Sequence, residues 1–384
     1  MTRIRMVHVR DSSGIYGAER VILGTSVWLR SMNVEPAIVS VLSGSRSGMP
    51  LIEESRRLGL RAEALPARHT LDLRAIGRLR GILKAWRPHV VHAHDLRSAV
   101  FGLTASIGLP LATVATAHGS TCESLRKRAY LTVFERHLLP RFDRVHAVSA
   151  SLAGHLRAAG VPAGKIRIIP NGVDEAVVVR PAGSNPLEPL KGSPTLGVVG
   201  RLTVDKGLTV LLRALASLKG ALPGIRVLLA GSGPQEEALR REARRLEIAD
   251  RVTFCGRVSP VAWVYHAADL VVIPSLREGL PCVLLEAMMA ARPVVATRVG
   301  AIPQVLAQGE LGRLVPPSDA EALARAILEA CRDGSASREM AEKAQAVARG
   351  EYSARIMSAR IRALYEELAP AKTAGTELER AVES

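Results

Sequence analysis

Residues 270–296 decide the fold, and they read LVVIPSLREGLPCVLLEAMMAARPVVA. The runs 270–273 and 293–296 are short and apolar, which is typical of strands that are buried on both faces of a sheet. Residues 281–290 lie between them and form a longer apolar stretch whose leading proline favours a helix start. The order strand, helix, strand predicts one unit of a parallel sheet.

The same alternation continues in both directions from this segment. Apolar runs predict strands at residues 4–9, 37–42, 89–92, 111–117, 145–148, 166–169, 195–200, 225–230, 251–254, 270–273 and 293–296. Helical patterns predict helices at residues 18–31, 50–58, 72–86, 97–106, 125–138, 150–158, 207–218, 235–246, 260–266, 281–290, 319–332 and 354–368. This alternation predicts an α/β fold with parallel sheets that are covered by helices on both faces.

The chain has 384 residues, which exceeds one ordinary core and fits two domains. The alternation pauses over residues 179–194, where Pro, Gly and Ser predict a linker. We therefore predict two Rossmann-like, doubly wound domains facing each other across a cleft, with ligands at the carboxyl ends of the strands. The predicted segments are a first domain at 1–175, a linker at 176–194, a second domain at 195–350, a C-terminal helix at 351–369 and a frayed polar tail at 370–384.

Basic residues are concentrated in the first half of the chain. The net charge is +16, and residues 1–172 hold 25 Lys and Arg against 11 Asp and Glu, whereas residues 173–384 hold 27 against 25. This asymmetry predicts an anionic partner for the first domain. Nucleic acid and an anionic membrane are both candidates. Aromatic residues make up only 3% and nucleic-acid-binding module patterns are absent, which favours the membrane.

Two basic clusters are candidates for this surface, one on the predicted helix at 74–87 and one at 126–128. Each cluster also fits the solvated face of a core helix. The uncharged run 98–117 is interrupted by glycine and proline, so it predicts a buried helix and strand rather than a membrane span. The four cysteines have no CxxC spacing and the N-terminus lacks a signal-peptide stretch. We expect a cytoplasmic protein that is peripheral at the inner face of the cell membrane.

Two carboxylates, Glu278 and Glu286, flank the start of the helix predicted at 281–290. A helix start directs free N–H groups and a partial positive charge outward, which favours a phosphate. Carboxylates on either side of that anion suit hydroxyl groups, so the arrangement fits a nucleotide sugar. A capped surface helix with two solvated acids explains the same spacing.

The spacing Glu278-x7-Glu286, with Gly-Leu-Pro after the first glutamate, resembles the donor-site signature of GT-B glycosyltransferases, specifically the retaining enzymes of family 4. Other segments carry the same resemblance, in the family's order, between about residues 7 and 365. They are the strand ends Val91–His94 and Thr116–Gly119, the crossover Ile169–Asp174, and the diphosphate turn formed by Gly200–Leu202 and Lys206–Gly207. The resemblance implies a GT-B fold whose C-terminal helix crosses back to the first domain.

The resemblance also implies roles for individual residues. Arg201 and Lys206 would neutralise the donor diphosphate, while Glu278 would bind sugar hydroxyls and Glu286 the ribose. His118 would lie beside the anomeric carbon, so His118 and Glu278 are the expected catalytic residues. The residues expected to bind the donor are Gly17, Arg201, Lys206, Gly231, Gly256, Val258, Glu278, Gly279, Leu280, Cys282, Val283 and Glu286.

The residues expected on the acceptor side are Tyr16, Glu19 and His94. The family often has two adjacent glycines before Ala-Glu, and Tyr16 replaces the first of them here, which leaves the acceptor contacts open. The sequence contains no Asp-x-Asp, the motif that would hold a divalent metal in the other main glycosyltransferase fold. We therefore expect neither a metal nor a cofactor. Instead, we expect the cations and the helix start to stabilise the leaving group.

Together these residues predict a retaining, metal-independent glycosyltransferase that moves a hexose-type sugar from a nucleotide sugar to an acceptor hydroxyl. The basic first domain suggests a lipid-linked or polysaccharide acceptor in cell-envelope or exopolysaccharide assembly. A glycosyl phosphorylase or another GT-B enzyme is an alternative. Consumption of a nucleotide sugar would distinguish the predicted transferase from it. A non-enzymatic nucleic-acid-binding protein is the other, and salt-sensitive liposome binding without tight oligonucleotide binding would exclude it.

Overall fold

The computed structural model describes residues 3–12, 14–42, 49–117, 135–188 and 193–382, with side chains up to residue 369. The strands are β1 Ile4–Asp11, β2 Val34–Leu42, β3 Arg61–Pro66, β4 Val90–Ala93, β5 Ala112–Ala117, β6 Arg144–Ala147, β7 Ile166–Ile168, β8 Thr195–Val199, β9 Arg226–Ala230, β10 Val252–Gly256, β11 Leu270–Ile273, β12 Val294–Thr297 and β13 Arg313–Val315. The helices are α1 Gly17–Ser31, α2 Met49–Arg57, α3 Leu73–Trp86, α4 Leu96–Ser106, α5 Ala150–Ala158, α6 Leu208–Ser217, α7 Glu236–Arg245, α8 Ala262–Ala267, α9 Cys282–Met289, α10 Ile302–Val305, α11 Ala320–Arg332, α12 Gly334–Glu351 and α13 Ala354–Val382.

These elements form two compact units, one of residues 1–172 with 354–384 and one of residues 173–353. In the first unit, the described strands form a parallel sheet in the order β3-β2-β1-β4-β5-β6-β7. Helix α3 buries Ala75, Leu79 and Leu83 against this sheet, since residues four apart share one helix face. The strand order reverses between β1 and β4, and a ligand is expected at the carboxyl ends of strands at such a point.

The second unit repeats this architecture with the strand order β10-β9-β8-β11-β12-β13 among the described residues. Helix α6 buries Leu208, Leu211, Leu212 and Leu215, which pack with apolar side chains of β8 and β9 in one core. The order reverses between β8 and β11, so the turns that follow these two strands lie where a ligand is expected. The predicted α/β class with doubly wound parallel sheets is confirmed.

The structure adds to the sequence-based expectation in two segments, and a third lies mostly outside the described residues. Within residues 179–194, which were expected to be a linker, Asn185 donates to the carbonyl of Trp263 at 2.9 Å and Leu187 is buried in the same cluster as Trp263, so these two residues pack on the second unit. The C-terminal helix continues to Val382, past the predicted end at residue 369, because residues 371–382 are mostly good helix formers. The predicted helix 125–138 lies mostly outside the described residues, as does the basic cluster at 126–128.

Among the described residues, no helix is both long and apolar enough to cross a bilayer.

Candidate functional site

The carboxyl edge of the second sheet is built from glycine turns that pack directly on one another. A Cβ atom on Gly231 would lie 1.7 Å from the carbonyl oxygen of Gly200, and one on Gly233 would lie 2.4 Å from that of Leu202. The Gly231 amide donates to the carbonyl of Gly256 at 2.7 Å, which joins the ends of β9 and β10. Because the glycines in these turns carry no side chains, a ligand can approach their backbone closely.

The turns after β8 and β11 are held together at the point where the strand order reverses. The Leu276 amide donates to the Asp205 carbonyl at 2.7 Å. Gly207 has a φ of 63°, and a Cβ there would lie 2.0 Å from the Pro274 carbonyl oxygen. Only glycine fits this contact, which fixes the position of Lys206 against the β11 turn.

Lys206 and Glu278 form an ion pair at this junction. The Lys206 Nζ donates to Glu278 Oε1 at 2.6 Å, and the Ser275 hydroxyl donates to the same oxygen at 2.7 Å. The Glu278 side chain is only 8% exposed. Glu278 Oε2 accepts no hydrogen bond from the described part of the chain, so it can accept one from a ligand. Arg201 is exposed at the same edge and adds a second cation.

Glu286 lies in the middle of α9 and is buried. Its Oε2 accepts from the hydroxyl of Tyr265 at 2.5 Å, and Tyr265 itself is fully buried. This hydroxyl holds the carboxylate in one rotamer. Ser275 and Tyr265 are the residues that sequence reasoning missed here, since neither belongs to a motif and each acts through a contact that only the fold creates.

Helix α9 begins at Cys282, and Pro281 precedes it with φ −73° and ψ 126°. Pro281 is therefore the N-cap rather than the first helical residue, because its extended ψ is not helical. Gly300, at φ 57°, would bring a Cβ within 2.2 Å of the Glu278 carbonyl oxygen, and the next amide donates to the Gly279 carbonyl at 2.8 Å. The turn before α9 is thus clamped by the β12–α10 loop. Leu280 is buried, so only its backbone can face a ligand.

In the first unit, Glu19 makes intramolecular hydrogen bonds through both carboxylate oxygens. Its Oε2 accepts from the Tyr16 amide at 3.0 Å and its Oε1 from Arg10 Nε at 2.9 Å. Arg10 also donates to the His94 carbonyl at 2.9 Å, which links β1, α1 and the end of β4. Arg10, absent from the predicted set, therefore orients this edge. Glu19 is also buried, so its carboxylate is not exposed to an acceptor in this arrangement.

His94 is buried, and its Nε2 lies 2.7 Å from Nδ1 of His8. The other predicted residues separate into two groups. Arg201, Lys206, Gly231, Gly256, Val258 and the segment 278–286 share the carboxyl edge of the second unit's sheet or the helix that follows it, whereas Tyr16, Gly17, Glu19 and His94 belong to the first unit. His118 lies outside the described residues.

Comparison with known proteins bears on both units. Residues 15–177 match the family model described as Glycosyltransferase Family 4, and residues 193–333 match that of Glycosyl transferases group 1. The chain is 32% identical over 293 residues to the phosphatidyl-myo-inositol mannosyltransferase of Mycolicibacterium smegmatis, which covers 73% of this chain and 72% of that protein.

Two further relatives are matched over less of their length. The D-inositol 3-phosphate glycosyltransferase of Segniliparus rotundus is 34% identical over 67% of this chain, which spans 61% of that protein. The glycogen synthase of Mycobacterium tuberculosis is 30% identical over 69% of this chain, which spans 65% of that protein.

Solved structures share the fold. HepE of Anabaena, in complex with UDP-glucose, superposes with a TM-score of 0.82 at 22% identity over 95% of this chain and 100% of that one. WaaG, described as a glycosyltransferase involved in lipopolysaccharide biosynthesis, superposes with a TM-score of 0.72 at 17% identity over 96% of this chain and 100% of that one. These likenesses confirm the GT-B fold that the sequence predicted.

Proposed function

The chain belongs to glycosyltransferase family 4, and on this basis we propose that it transfers a sugar from a nucleotide-sugar donor to an acceptor hydroxyl. The observation that carries the proposal is the Lys206–Glu278–Ser275 cluster, which lies between glycine turns and the start of α9. This junction combines cations, free helix N–H groups and a carboxylate with one available oxygen. Cations and helix N–H groups bind phosphates, and a carboxylate oxygen binds sugar hydroxyls.

In the proposed donor complex, Arg201 and Lys206 bind the diphosphate. Lys206 donates one of its three N–H bonds to Glu278 and keeps two for phosphate oxygens. Glu278 binds a sugar hydroxyl through Oε2, and Glu286, held by Tyr265, accepts from the ribose. The complexes of HepE with UDP and with UDP-glucose support a donor of this class.

We propose that the reaction retains the anomeric configuration and needs no metal. As the glycosidic bond breaks, negative charge develops on the leaving diphosphate. The two cations and the N-terminus of α9 stabilise that charge more in the transition state than in the ground state. The leaving phosphate takes the proton from the acceptor hydroxyl, whose oxygen bonds to the anomeric carbon on the same face of the sugar. His118 is proposed to lie beside the anomeric carbon.

The proposed acceptor is lipid-linked or part of a polysaccharide, at an anionic membrane in the cytoplasm. Two relatives are described as a phosphatidyl-myo-inositol mannosyltransferase and a putative colanic acid biosynthesis glycosyltransferase, which supports this class. Leu71, Leu73 and Ile107 are 69%, 78% and 68% exposed in the basic first unit. Arg80 donates to the Ile107 carbonyl at 2.5 Å, so an exposed apolar residue and a cation are adjacent there. Such a surface suits an anionic bilayer.

A nucleotide-sugar screen tests the proposal. We expect one nucleotide sugar to raise the melting temperature, and incubation of that donor with lipid-linked acceptors to release the nucleoside diphosphate and form a product with the donor's anomeric configuration. Inversion would contradict the retaining mechanism. Turnover that requires inorganic phosphate and ignores every nucleotide sugar would instead identify a phosphorylase.

A further inference from the structure

The first unit buries a group of histidines that the proposed donor chemistry does not use. His8 is on β1, His92 on β4 and His146 on β6, and His94 follows β4 directly. Strands β1, β4, β5 and β6 are neighbours in the sheet, so these side chains meet across adjacent strands. Thr116 of β5 lies opposite His146 in the strand register. Buried polar side chains are nearly always hydrogen-bonded, so the partners of these histidines indicate their role.

His92, Thr116, His146 and Tyr365 form one continuous hydrogen-bonded chain. His146 Nε2 lies 2.6 Å from the Ile169 carbonyl oxygen, and its Nδ1 lies 3.1 Å from the Thr116 hydroxyl. The same hydroxyl lies 2.6 Å from His92 Nε2. His92 Nδ1 in turn lies 2.6 Å from the hydroxyl of Tyr365 on α13.

The direction of the chain follows from its end at Ile169. A carbonyl can only accept, so His146 Nε2 carries the donated proton and Nδ1 of the neutral ring accepts from Thr116. Having donated there, the Thr116 oxygen accepts from His92 Nε2–H. His92 Nδ1 then accepts from the Tyr365 hydroxyl. With both rings neutral, as burial makes that of His146, one backbone carbonyl thus sets two tautomers and two hydroxyl orientations.

A metal site is the alternative reading of the same cluster. His8, His92 and His94 each bring one ligand atom within 4.8 Å of the others, and His8 Nε2 has no hydrogen-bond partner in the described part of the chain. However, both nitrogens of His92 are already engaged in hydrogen bonds to Tyr365 and Thr116. A divalent cation held by all three histidines would have to displace one of these satisfied bonds in the buried interior, which is costly.

We propose that His92, His146 and Tyr365 are positioning residues that act through Thr116 on the carboxyl end of β5. This inference rests on the proposed glycosyl transfer. Strand β5 ends at Ala117, and His118 follows in the sequence. His92 also stacks on His94 with ring centroids 4.4 Å apart. These hydrogen bonds therefore connect the carboxyl end of β5, which precedes His118, with Ile169 on one side and with the C-terminal helix α13 on the other. The stacking contact adds the His94 ring.

Histidine-ring NMR tests the chain itself, whatever the activity. We expect both His92 and His146 to be neutral Nε2–H tautomers near neutral pH, and addition of Zn²⁺ to leave their ring nitrogen signals unchanged. Burial lowers the pKa of His146 to about 4, which agrees with a neutral ring. An Nδ1–H tautomer of His146 would contradict the hydrogen-bonded chain. Stoichiometric Zn²⁺ binding that shifts the signals of His8, His92 and His94 would contradict it as well.

Kinetics of Thr116→Val, with Thr113→Val as a matched control, test the positioning role. Thr113 is on the same strand, and its hydroxyl donates to Asp143 at 3.0 Å outside the chain. We expect Thr116→Val to lower kcat by about 10- to 100-fold with an unchanged donor KM, because small misplacements near the reacting atoms cost rates of this order. Thr116→Ser should have most of the wild-type kcat, and Thr113→Val should have the wild-type kcat.

An equal loss of kcat in both valine variants would leave only a structural role and overturn the proposal. If the wild-type protein turns over no nucleotide sugar, the proposed function fails instead. The NMR result then still reports whether the hydrogen-bonded chain exists.

Discussion

The two glutamates of the second unit have different surroundings, and this separates their roles. Glu278 receives Lys206 and Ser275 on a single oxygen and keeps the other for a ligand. Glu286 is buried within α9 and receives a tyrosine hydroxyl. A carboxylate next to a lysine suits contact with the sugar beside a phosphate, and a carboxylate fixed by a tyrosine suits the ribose. Neither pairing fits a general acid–base pair.

Replacing Glu278 by Gln tests this assignment directly. The amide keeps the size of the side chain but loses the charge that orients Lys206, so we expect kcat/KM for the donor to fall by about 100-fold. Steady-state rates with a saturating acceptor measure the change. The matched control is Glu339→Gln, which breaks an exposed Lys343–Glu339 pair of 2.7 Å on α12 of the same unit. Full activity in Glu278→Gln would remove Glu278 from the site.

Sequence reasoning reached these residues as types at strand ends but not their contacts. Lys206 and Glu278 are 72 residues apart, so no local pattern indicates that they form an ion pair. Glu19 resembled an acceptor ligand, whereas the structure uses both of its oxygens for Arg10 and the Tyr16 amide. Side-chain partners depend on distances across the sheet, which periodicity does not encode.

At the level of elements, the site depends on turns that only glycine can form. Gly300 combines a left-handed φ with a contact to the Glu278 carbonyl. We expect Gly300→Ala to lower the free energy of unfolding by roughly 1–3 kcal/mol, since alanine is strained at this φ and meets backbone atoms. Urea unfolding measures the loss, and donor binding should weaken because the 278–281 turn shifts.

The control for this prediction is Gly220→Ala. Gly220 is exposed, and an added Cβ there meets no atom within 4 Å. We expect its free energy of unfolding to change by less than about 0.5 kcal/mol. Equal stability of the two alanine variants would mean that the loop adapts and that the clamp on the turn is weak.

The elements that sequence reasoning missed share a weak apolar signal. Strand β3 lies at the sheet edge and alternates exposed residues, Arg61 and Glu63, with the half-covered Ala62 and Ala64, so its core contribution is small. Helix α12 buries Ala341, Ala344 and Ala348, whose small side chains give little hydrophobic contrast with the charged face. The long apolar strands and leucine-rich helices were predictable because each buries a large, periodic surface.

On the scale of the whole molecule, the charge asymmetry predicts selective membrane binding by the first unit. We expect sedimentation with vesicles that contain an anionic phospholipid, and loss of that binding as salt rises. The double variant Arg74→Glu and Arg78→Glu should weaken binding at least about tenfold, because each basic residue near the surface contributes roughly 1 kcal/mol.

The matched control reverses two exposed arginines of α7 in the second unit, Arg241→Glu and Arg244→Glu. The change in net charge is identical, so an equal loss of vesicle binding would indicate a general charge effect and not a surface on α3.

The buried histidines also determine how the stability of the first unit depends on pH. Burial lowers the pKa of His8 from 6.5 to about 3 and that of His146 from 6.5 to about 4. The folded state therefore resists protonation that the unfolded chain accepts below about pH 6.5. Their stabilisation is complete above that pH and is lost as the pH falls toward 4, at about 1.4 kcal/mol per pH unit for each histidine. Burial raises the pKa of Asp95, which offsets part of the loss at the acidic end.

Replacing His8 by Gln should therefore flatten the pH dependence. Between about pH 6 and pH 5, we expect the slope of unfolding free energy against pH to fall by about 1.4 kcal/mol per unit relative to the wild type, because one titrating group is gone. Urea unfolding at several pH values, followed by tryptophan fluorescence in a Trp263→Phe background that leaves only Trp28 and Trp86, reports on this unit. The exposed His69, replaced by Gln, is the control and should leave the slope unchanged. Equal slopes in all three proteins would mean that His8 is protonated in the folded state, which would place a charge in the core beside His94.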